Sequence, residues 1–485
     1  MIDIAKFFKA YDMRGTTPEL DWKIYFLIGQ GLVEEILKPE SLDLTVNVWH
    51  DNRVSSDLFY KAFVNGLLSK GAEVIPCGLG TTDMMYSYTI KNDISGAIVT
   101  ASHNPKEDNG LKIVKKYPQM LGLESGLDKI RDYVLKHYET LELTEKGLDN
   151  ITNDKNAKIE AVEFLNKASQ KIGKFLDLKI PKGYTVVVDA ANGLGVLSLE
   201  LLKSQYPGVK WVHLYCTLDG NFPNHPADPA NPDNMMDLRR KVLESKADIG
   251  IAFDGDADRV FFVDELGEII NTEHLVAVFA KTLINEVQLN QDIIGKELEN
   301  LSHPLNPAAV YVVSYSRALP ETVLCEGGAA IVSKQGHTFV KKLMKQYNAI
   351  YGGEASGHHY FGQFGFMDSG ILAVNLMFKI ILGRSLMASD VCAEYKDKYF
   401  TSGEYNLKVP VGRDMQMIKD RVKRKYLDGY ISELDGISVF YHTYKFTIRH
   451  SNTQSLFRIN VETKISNEQF NPKIVLDQLI DLINN

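Results

Sequence analysis

Short apolar runs separated by longer segments of helical period set the pattern of this chain. Leu42–Trp49, Glu73–Pro76, Gly96–Thr100, Tyr184–Asp189 and Asp248–Phe253 read as buried strands. Between several of them lie helical patterns, as at Ser56–Ser69 and Met236–Ser245. Alternation of this kind predicts α/β domains with parallel or mixed sheets. The most apolar stretch, Gly370–Leu382, is interrupted by Asn375 and Lys379. It falls short of the ~20 residues that cross a bilayer, and is expected to be a buried helix. Towards the end the style changes. Tyr444–Arg449 and Leu456–Glu462 read as extended segments flanking a polar loop, which predicts a smaller α+β domain.

Three breaks divide the chain. Leu141–Lys158 is polar and rich in Asp, Asn, Thr and Lys, as a helix end plus linker would be. A second break follows Asp264-Glu-Leu-Gly267, and a third lies near Gly383–Ser389. The expected domains are 1–152, 153–268 and 269–390, all α/β, and 391–485, α+β. No strong repeat is visible at the sequence level. Three or four domains also suit a length of 485 residues, at about 100–200 residues each.

Composition narrows the function. A net charge of −8 argues against bulk nucleic-acid binding, yet a few local Arg and Lys residues can still build a phosphate site. Cys77, Cys216, Cys325 and Cys392 lie far apart without a CxxC pair, so neither zinc nor a disulfide framework is expected. The first residues hold no uninterrupted apolar core of the signal-peptide kind. A reducing cytoplasm is the expected location, with no membrane partner.

Four loops carry candidate chemistry. Thr100-Ala-Ser-His-Asn-Pro105 follows an apolar run, which puts Ser102 at the carboxyl end of a strand, where open α/β sheets place ligands. Ser102 there suits a nucleophile or phosphate carrier. His103 suits phosphate orientation or proton movement, and Lys112 suits neutralisation of phosphate charge. For a lone serine, a capped polar loop is the ordinary reading; the six-residue string is far more specific. Asp254-Gly-Asp-Ala-Asp-Arg259 ends another apolar run. Its three carboxylates would repel one another unless a cation held them, and hard oxygen ligands suit magnesium. A calcium loop is the rival, and Glu265 falls at its twelfth position. Arg259, however, occupies the sixth, where that loop needs glycine, and a strand precedes the loop in place of a helix. Gly353-Glu-Ala-Ser-Gly-His358 offers Glu354, Ser356 and His358 to sugar hydroxyls, although a polar glycine-rich turn is the default for it alone. Arg449-His-Ser-Asn-Thr453 joins a planar guanidinium fork to hydroxyl, amide and backbone donors that suit an anion, although alone it is an ordinary hairpin loop.

Together these loops resemble the α-D-phosphohexomutase family of phosphoglucomutases, phosphomannomutases and phosphoglucosamine mutases. The likeness begins at Phe8-Lys-Ala-Tyr-Asp-Met-Arg-Gly15. It continues through Asp51-Asn-Arg-Val-Ser-Ser56, Asp219-Gly-Asn-Phe-Pro-Asn224 and Lys334-Gln-Gly-His337, and keeps the family's motif order nearly end to end. The resemblance implies four domains around a central cleft, each donating one loop. It implies that Ser102 becomes phosphoserine, and that Asp254, Asp256 and Asp258 bind magnesium together with it. It assigns Arg259, Arg14, His103 and Lys112 to the phosphoryl group. Glu354, Ser356 and His358 would read the sugar. Arg449, Ser451, Asn452 and Thr453 would grip the phosphate that is not transferred, and Tyr11 and His337 would lie at the cleft.

The implied reaction interconverts hexose 6-phosphate and hexose 1-phosphate, with a hexose 1,6-bisphosphate as intermediate and primer. The Ser451-Asn-Thr form is similar to bacterial phosphomannomutase/phosphoglucomutase enzymes, so mannose and then glucose are the expected sugars. A phosphoglucosamine mutase is the alternative. Two departures bear on sugar preference: Ser314 stands near the place of a cleft lysine found in some members, and Asn285–Pro307 is long for the third domain. The expected partners are hexose phosphates, and the expected assembly is a monomer or dimer. Two rivals remain. One is a haloacid-dehalogenase-like enzyme with Asp254 as nucleophile and Asp256 as acid/base. The other is a catalytically silent sugar-phosphate-binding protein on the mutase fold.

Overall fold

The computed structural model describes residues 3–173, 178–294, 307–410, 412–451 and 455–484. The chain forms two compact units. The first comprises Met1–Ile270 with Ser356–Ser389, the second Asn271–Ala355 with Asp390–Asn485.

The first unit holds two mixed sheets. In one, the strand order is Met13–Thr16, Asp108–Lys115, Ser95–Val99, Thr45–His50 and Glu73–Leu79, with Gln119–Met120 added to Asp108–Lys115. The last three main strands run parallel, while Asp108–Lys115 is antiparallel to both its neighbours in the order. Helices Trp22–Gly31 and Ser56–Leu68 pack with this sheet into one apolar core. The second sheet is ordered Val260–Asp264, Ile249–Phe253, Thr185–Asp189 and Lys210–Leu214, and only its Val260–Asp264 pairing is antiparallel. The same unit contains the antiparallel pair His359–Phe361 and Met367–Asp368, and helix Gly370–Arg384.

In the second unit, Ala329–Ser333, Ala308–Val312 and Tyr351–Gly353 are parallel neighbours. Helices Thr272–Ile294, Ala318–Cys325 and His337–Gln346 contact them. The C-terminal sheet is wholly antiparallel, ordered Phe400–Lys408, Leu456–Thr463, Tyr444–His450, Ile437–Phe440 and Tyr430–Ser432. Its core includes residues of Met415–Lys425 and Pro472–Asn484. The architecture is thus three α/β domains followed by a sheet-containing C-terminal domain.

Local chemistry explains where expected and observed elements differ. Glu73–Pro76, expected as a buried strand, has Glu73 exposed and Val74, Ile75 and Pro76 half-buried, and the strand runs on to Leu79. Among the described residues it is an edge strand paired with Thr45–His50, and the register shifts between Val48 and Trp49, so the missing N–H of Pro76 is tolerated. The polar segment Leu141–Lys158 already contains the start of helix Lys155–Gly173. Asp154 opens that helix by accepting from the N–H groups of Asn156 and Ala157 at 2.8 and 3.3 Å. Part of Asn285–Pro307 continues helix Thr272–Ile294, and residues 295–306 lie outside the described residues. Among the described residues, no helix is long and apolar enough to cross a membrane.

The two polar interruptions of Gly370–Leu382 anchor its helix. Asn375 is fully buried; it accepts from Tyr206 Oη at 2.7 Å and donates to Gln205 Oε1 at 3.1 Å. Lys379 donates to the carbonyl of Ile172 at 3.1 Å. Asn375→Leu leaves the Tyr206 hydroxyl and the Gln205 carbonyl without this partner, so stability should fall by about 1–3 kcal/mol for each group left unsatisfied. A lower urea midpoint in equilibrium unfolding checks this.

Candidate active site

Ser102 sits in a tight loop after strand Ser95–Val99. Its φ of 54° is in the left-handed region, uncommon for a residue with a side chain. The loop is held from several sides. The Ser102 N–H donates to Thr100 Oγ1 at 2.9 Å, and the Asn104 N–H to the Ala101 carbonyl at 3.0 Å. Arg14 donates Nη1 to the Ala101 carbonyl at 3.0 Å and to Asn104 Oδ1 at 2.7 Å, while its Nε is bound by Asp12 at 2.8 Å.

The main organiser of the loop is Arg53, to which the sequence assigned no chemistry. Its guanidinium donates to four carbonyls: Ser102 at 2.8 Å, Asn104 at 2.7 Å, Pro105 at 2.6 Å and Asp108 at 2.9 Å. Asp51 balances its charge at 3.2 Å, and both side chains are shut away from water. The other face of Arg53 lies over the Phe222 ring at 5.2 Å. This contact gives the Asp219–Asn224 motif a structural task. It brings a segment of the second sheet's domain against the serine loop.

The Ser102 hydroxyl donates to Asp254 Oδ2 at 2.7 Å, and His103 Nδ1 is 3.3 Å from Ser102 Oγ. The aspartate loop can come this close because Gly255 has no side chain: a Cβ there would stand only 2.3 Å from the Ser102 carbonyl oxygen. Asp254, Asp256 and Asp258 are all buried, and each offers a carboxylate oxygen within 4.8 Å of the others. Burial raises the Asp254 carboxyl well above its ordinary range, and repulsion from Asp258 and Asp256 adds to the effect. Burial acts the same way on Asp256, but the Lys112 ammonium, with the Thr82 hydroxyl helping, outweighs it and holds that group low.

Lys112 reaches the cluster from strand Asp108–Lys115, donating to Asp256 Oδ2 at 2.6 Å and Asp258 Oδ2 at 2.5 Å. On that sheet Arg14 faces Gly110, two residues before Lys112, so the cations of Arg14 and Lys112 share a face. Thr82, at the start of helix Thr82–Asn92, donates Oγ1 to Asp256 Oδ2 at 2.6 Å and its N–H to the Asp256 carbonyl at 3.2 Å. A helix N-terminus is a favourable neighbour for a carboxylate.

Two acceptors remain. Asp256 Oδ1 and Asp258 Oδ1 are buried and have no hydrogen-bond partner among the described residues. Three buried carboxylates, an all-oxygen donor set and unmet lone pairs fit a hard divalent cation. Glu265, at the twelfth position of the rival calcium loop, turns its carboxylate to the N–H and hydroxyl of Ser389.

The Gly353–His358 loop divides between the units. His358 and Arg259 pair as an antiparallel bridge, and the Val260 N–H donates to the Gly357 carbonyl at 3.2 Å. Asp368 Oδ2 lies 2.7 Å from His358 Nδ1 and 3.9 Å separates that nitrogen from Asp258 Oδ1, so an imidazole and a further carboxylate stand close together beside the triad. His103 is held well below the ordinary imidazole range, first by burial and then by Arg259 and Arg14, and is neutral at pH 7. Ser356 and Tyr11 are half-buried in the first unit; Tyr11 occupies the bend between Phe8 and Met13.

In the second unit, Glu354 is buried and its charge raises the Tyr315 hydroxyl, after burial of that hydroxyl itself. His337 opens helix His337–Gln346. Ser314, at the departure noted in the sequence, is a buried serine whose hydroxyl has no partner among the described residues. Arg449 is buried, with Nη2 donating to Glu404 Oε2 at 2.8 Å. The buried Ser451 donates its N–H to the Leu456 carbonyl at 2.8 Å. Asn452 and Thr453 lie outside the described residues.

The structure therefore brings Ser102, His103, Lys112, Arg14, Arg259, the three aspartates and His358 together in the first unit. It adds Arg53, Thr82 and Asp368, which sequence reasoning missed. Arg53 lay inside a motif noted at 51–56, but the carbonyls it serves are some fifty positions away and carry no sequence signature.

The chain is similar to known proteins along most of its length. Models of the phosphoglucomutase/phosphomannomutase α/β/α domains I, II and III match residues 5–140, 163–267 and 271–399. A Vibrio cholerae protein named phosphomannomutase is 32% identical over 485 residues, covering 98% of each chain. Proteins named phosphohexose mutases from Xanthomonas campestris include one 34% identical over 464 residues, across 94% of this chain and 95% of its own. Among solved structures, a phosphoglucomutase/phosphomannomutase family protein from Burkholderia thailandensis shares the fold, with a TM-score of 0.80 and 24% identity over 100% of this chain and 98% of that one.

Two outcomes test the geometry. Arg53→Ala breaks a buried ion pair and takes a donor away from four carbonyls, so stability should drop by about 3–5 kcal/mol in chemical denaturation. Asp83, buried under Thr81 and Ser369 hydroxyls, has its carboxyl pushed up from 3.8 to about 7, chiefly by burial and then by Asp258 and Asp368. Between about pH 4 and pH 7 the folded protein keeps a proton there that the unfolded chain has lost, so this group's contribution falls as pH rises. Thermal melts of Asp83→Asn should show a smaller loss of melting temperature than the parent between about pH 4 and pH 7.

Proposed function

This chain belongs to the phosphoglucomutase/phosphomannomutase family, the α-D-phosphohexomutases, and on that premise we propose that it interconverts hexose 6-phosphate and hexose 1-phosphate through a phosphate carried on Ser102. It is a phosphotransferase of the isomerase class. The observation that carries the proposal is the 2.7 Å hydrogen bond from Ser102 Oγ to Asp254, inside a triad with unmet carboxylate oxygens. Mannose is the first sugar expected and glucose the second; glucosamine is the alternative.

Phosphoryl transfer asks a protein mainly for alignment and charge neutralisation. A magnesium ion at Asp254, Asp256 and Asp258 would supply positive charge to the phosphoryl oxygens. Lys112 and Arg259 add fixed cations beside the triad. Arg53 and Arg14 hold the serine loop so that the Oγ keeps its direction.

In the forward half-reaction, the free hydroxyl of the hexose phosphate bonds to phosphorus, and the bond from phosphorus to Ser102 Oγ breaks. The hydroxyl proton leaves to a nearby base, and His103 suits that role because it is neutral and 3.3 Å from Oγ. The hexose 1,6-bisphosphate so formed returns its other phosphate to Ser102 by the same steps reversed. Arg449 and Ser451 grip the phosphate that is not being transferred. No nucleotide is consumed, in keeping with the absence of a G-x-x-x-x-G-K-[ST] loop.

After priming with hexose 1,6-bisphosphate, phosphopeptide mapping should find hydroxylamine-stable phosphate on Ser102, and Ser102→Ala should lose turnover while still binding hexose phosphate. Full activity of that variant, or an acyl phosphate on Asp254, overturns the proposal. Parallel assays on mannose, glucose and glucosamine 1-phosphates settle the sugar.

A further inference from the structure

In the C-terminal sheet, Arg449 on Tyr444–His450 stands directly opposite Arg458 on Leu456–Thr463. Such partners share one sheet face, and like charges placed there repel. The adjoining strand Phe400–Lys408 sets Asn406 opposite Arg458, and Glu404, two residues away, points to that same face. Its carboxylate is divided between the two cations. Oε2 accepts from Arg449 Nη2 at 2.8 Å and Oε1 accepts from Arg458 Nη1 at 2.9 Å. The Arg449 side chain is only 4% exposed, whereas Glu404 keeps 30% of its side chain in water. Each guanidinium also retains a buried Nε–H with no partner among the described residues.

We propose that Glu404 is a built-in competitor for the sugar phosphate at the Arg449 grip, and that Arg458 is the second cation of that grip. The inference rests on the reading of Arg449 as a phosphate-binding residue. A carboxylate has two oxygens and satisfies one N–H of each fork. A phosphate has more oxygens and more charge, and meets the donors that Glu404 leaves unmet. The partly exposed Glu404 can turn to water when phosphate arrives, so the exchange strands no buried charge. The competitor has a purpose in the proposed reaction. A bisphosphate must be released from the grip to present its other end, and two unopposed guanidiniums would hold a dianion too firmly. Glu404 cancels one of the two positive charges and keeps the arginines aligned while the grip is empty.

Glu404→Gln tests this. Removing one neighbouring negative charge should tighten binding of inorganic phosphate about three- to tenfold and lower KM for hexose 1-phosphate in the same sense. The rise in melting temperature on adding inorganic phosphate should be larger than in the parent protein. Unchanged or weaker phosphate binding overturns the proposal, because Glu404 would then be a support for the arginines and not their rival ligand. If Glu404→Gln does not fold, Glu404→Asp keeps the charge on a shorter arm and should shift phosphate affinity in the same direction by less; no shift overturns the proposal as well. Arg449→Ala separates this inference from its premise. If it loses phosphate affinity while Glu404→Gln is unchanged, only the role of Glu404 falls; if it binds phosphate like the parent protein, the premise falls with it.

Discussion

Crowding three carboxylates into a volume sealed from water is the constraint around which the first unit is arranged. Desolvation and repulsion from Asp258 and Asp256 both work against the charged state of Asp254, and desolvation does the same at Asp256. The fold answers with a buried ammonium from Lys112, a helix N-terminus with a hydroxyl at Thr82, and a serine hydroxyl from another loop. These donors still leave two carboxylate oxygens unmet. An arrangement that keeps acidic groups buried and incompletely satisfied has given up stability for the ability to hold a cation.

That constraint explains why the supporting residues are so rigidly held. The Ser102 loop has a strained left-handed residue at its centre, and a backbone of this kind persists only where its surroundings over-determine it. Arg53 does so with four carbonyl hydrogen bonds, and Phe222 covers its remaining face. The absence of a side chain at Gly255 lets two loops from different sheets approach to backbone contact. Small shifts in this scaffold would move the serine oxygen relative to the carboxylates, and positioning errors of about 1 Å are costly in phosphoryl transfer.

The paired arginines of the C-terminal sheet obey a related rule with the signs reversed. There two cations face each other across a strand pair and a single carboxylate keeps them apart. In both places the protein stores like charges at close range and leaves polar atoms of those groups without a partner among the described residues.

Much of this was legible in the chain itself. Apolar runs located the strands at 96–100, 184–189 and 248–253 to within a residue or two, because a fully buried strand must be continuously apolar. The turn-rich strings that follow two of them marked Ser102 and the aspartates, since those strings are far more specific than a single polar residue at a strand end. What tertiary structure alone decided was which distant groups meet. Arg53 with the carbonyls after Ser102, Thr82 with Asp256, Asp368 with His358 and Glu404 with its two arginines are pairings set by sheet order and strand register. Pattern along a chain reports whether a residue is buried and what it can bond. It does not report its partner, because hydrogen bonds and charge pairs depend on distance in space and carry no fixed spacing in sequence.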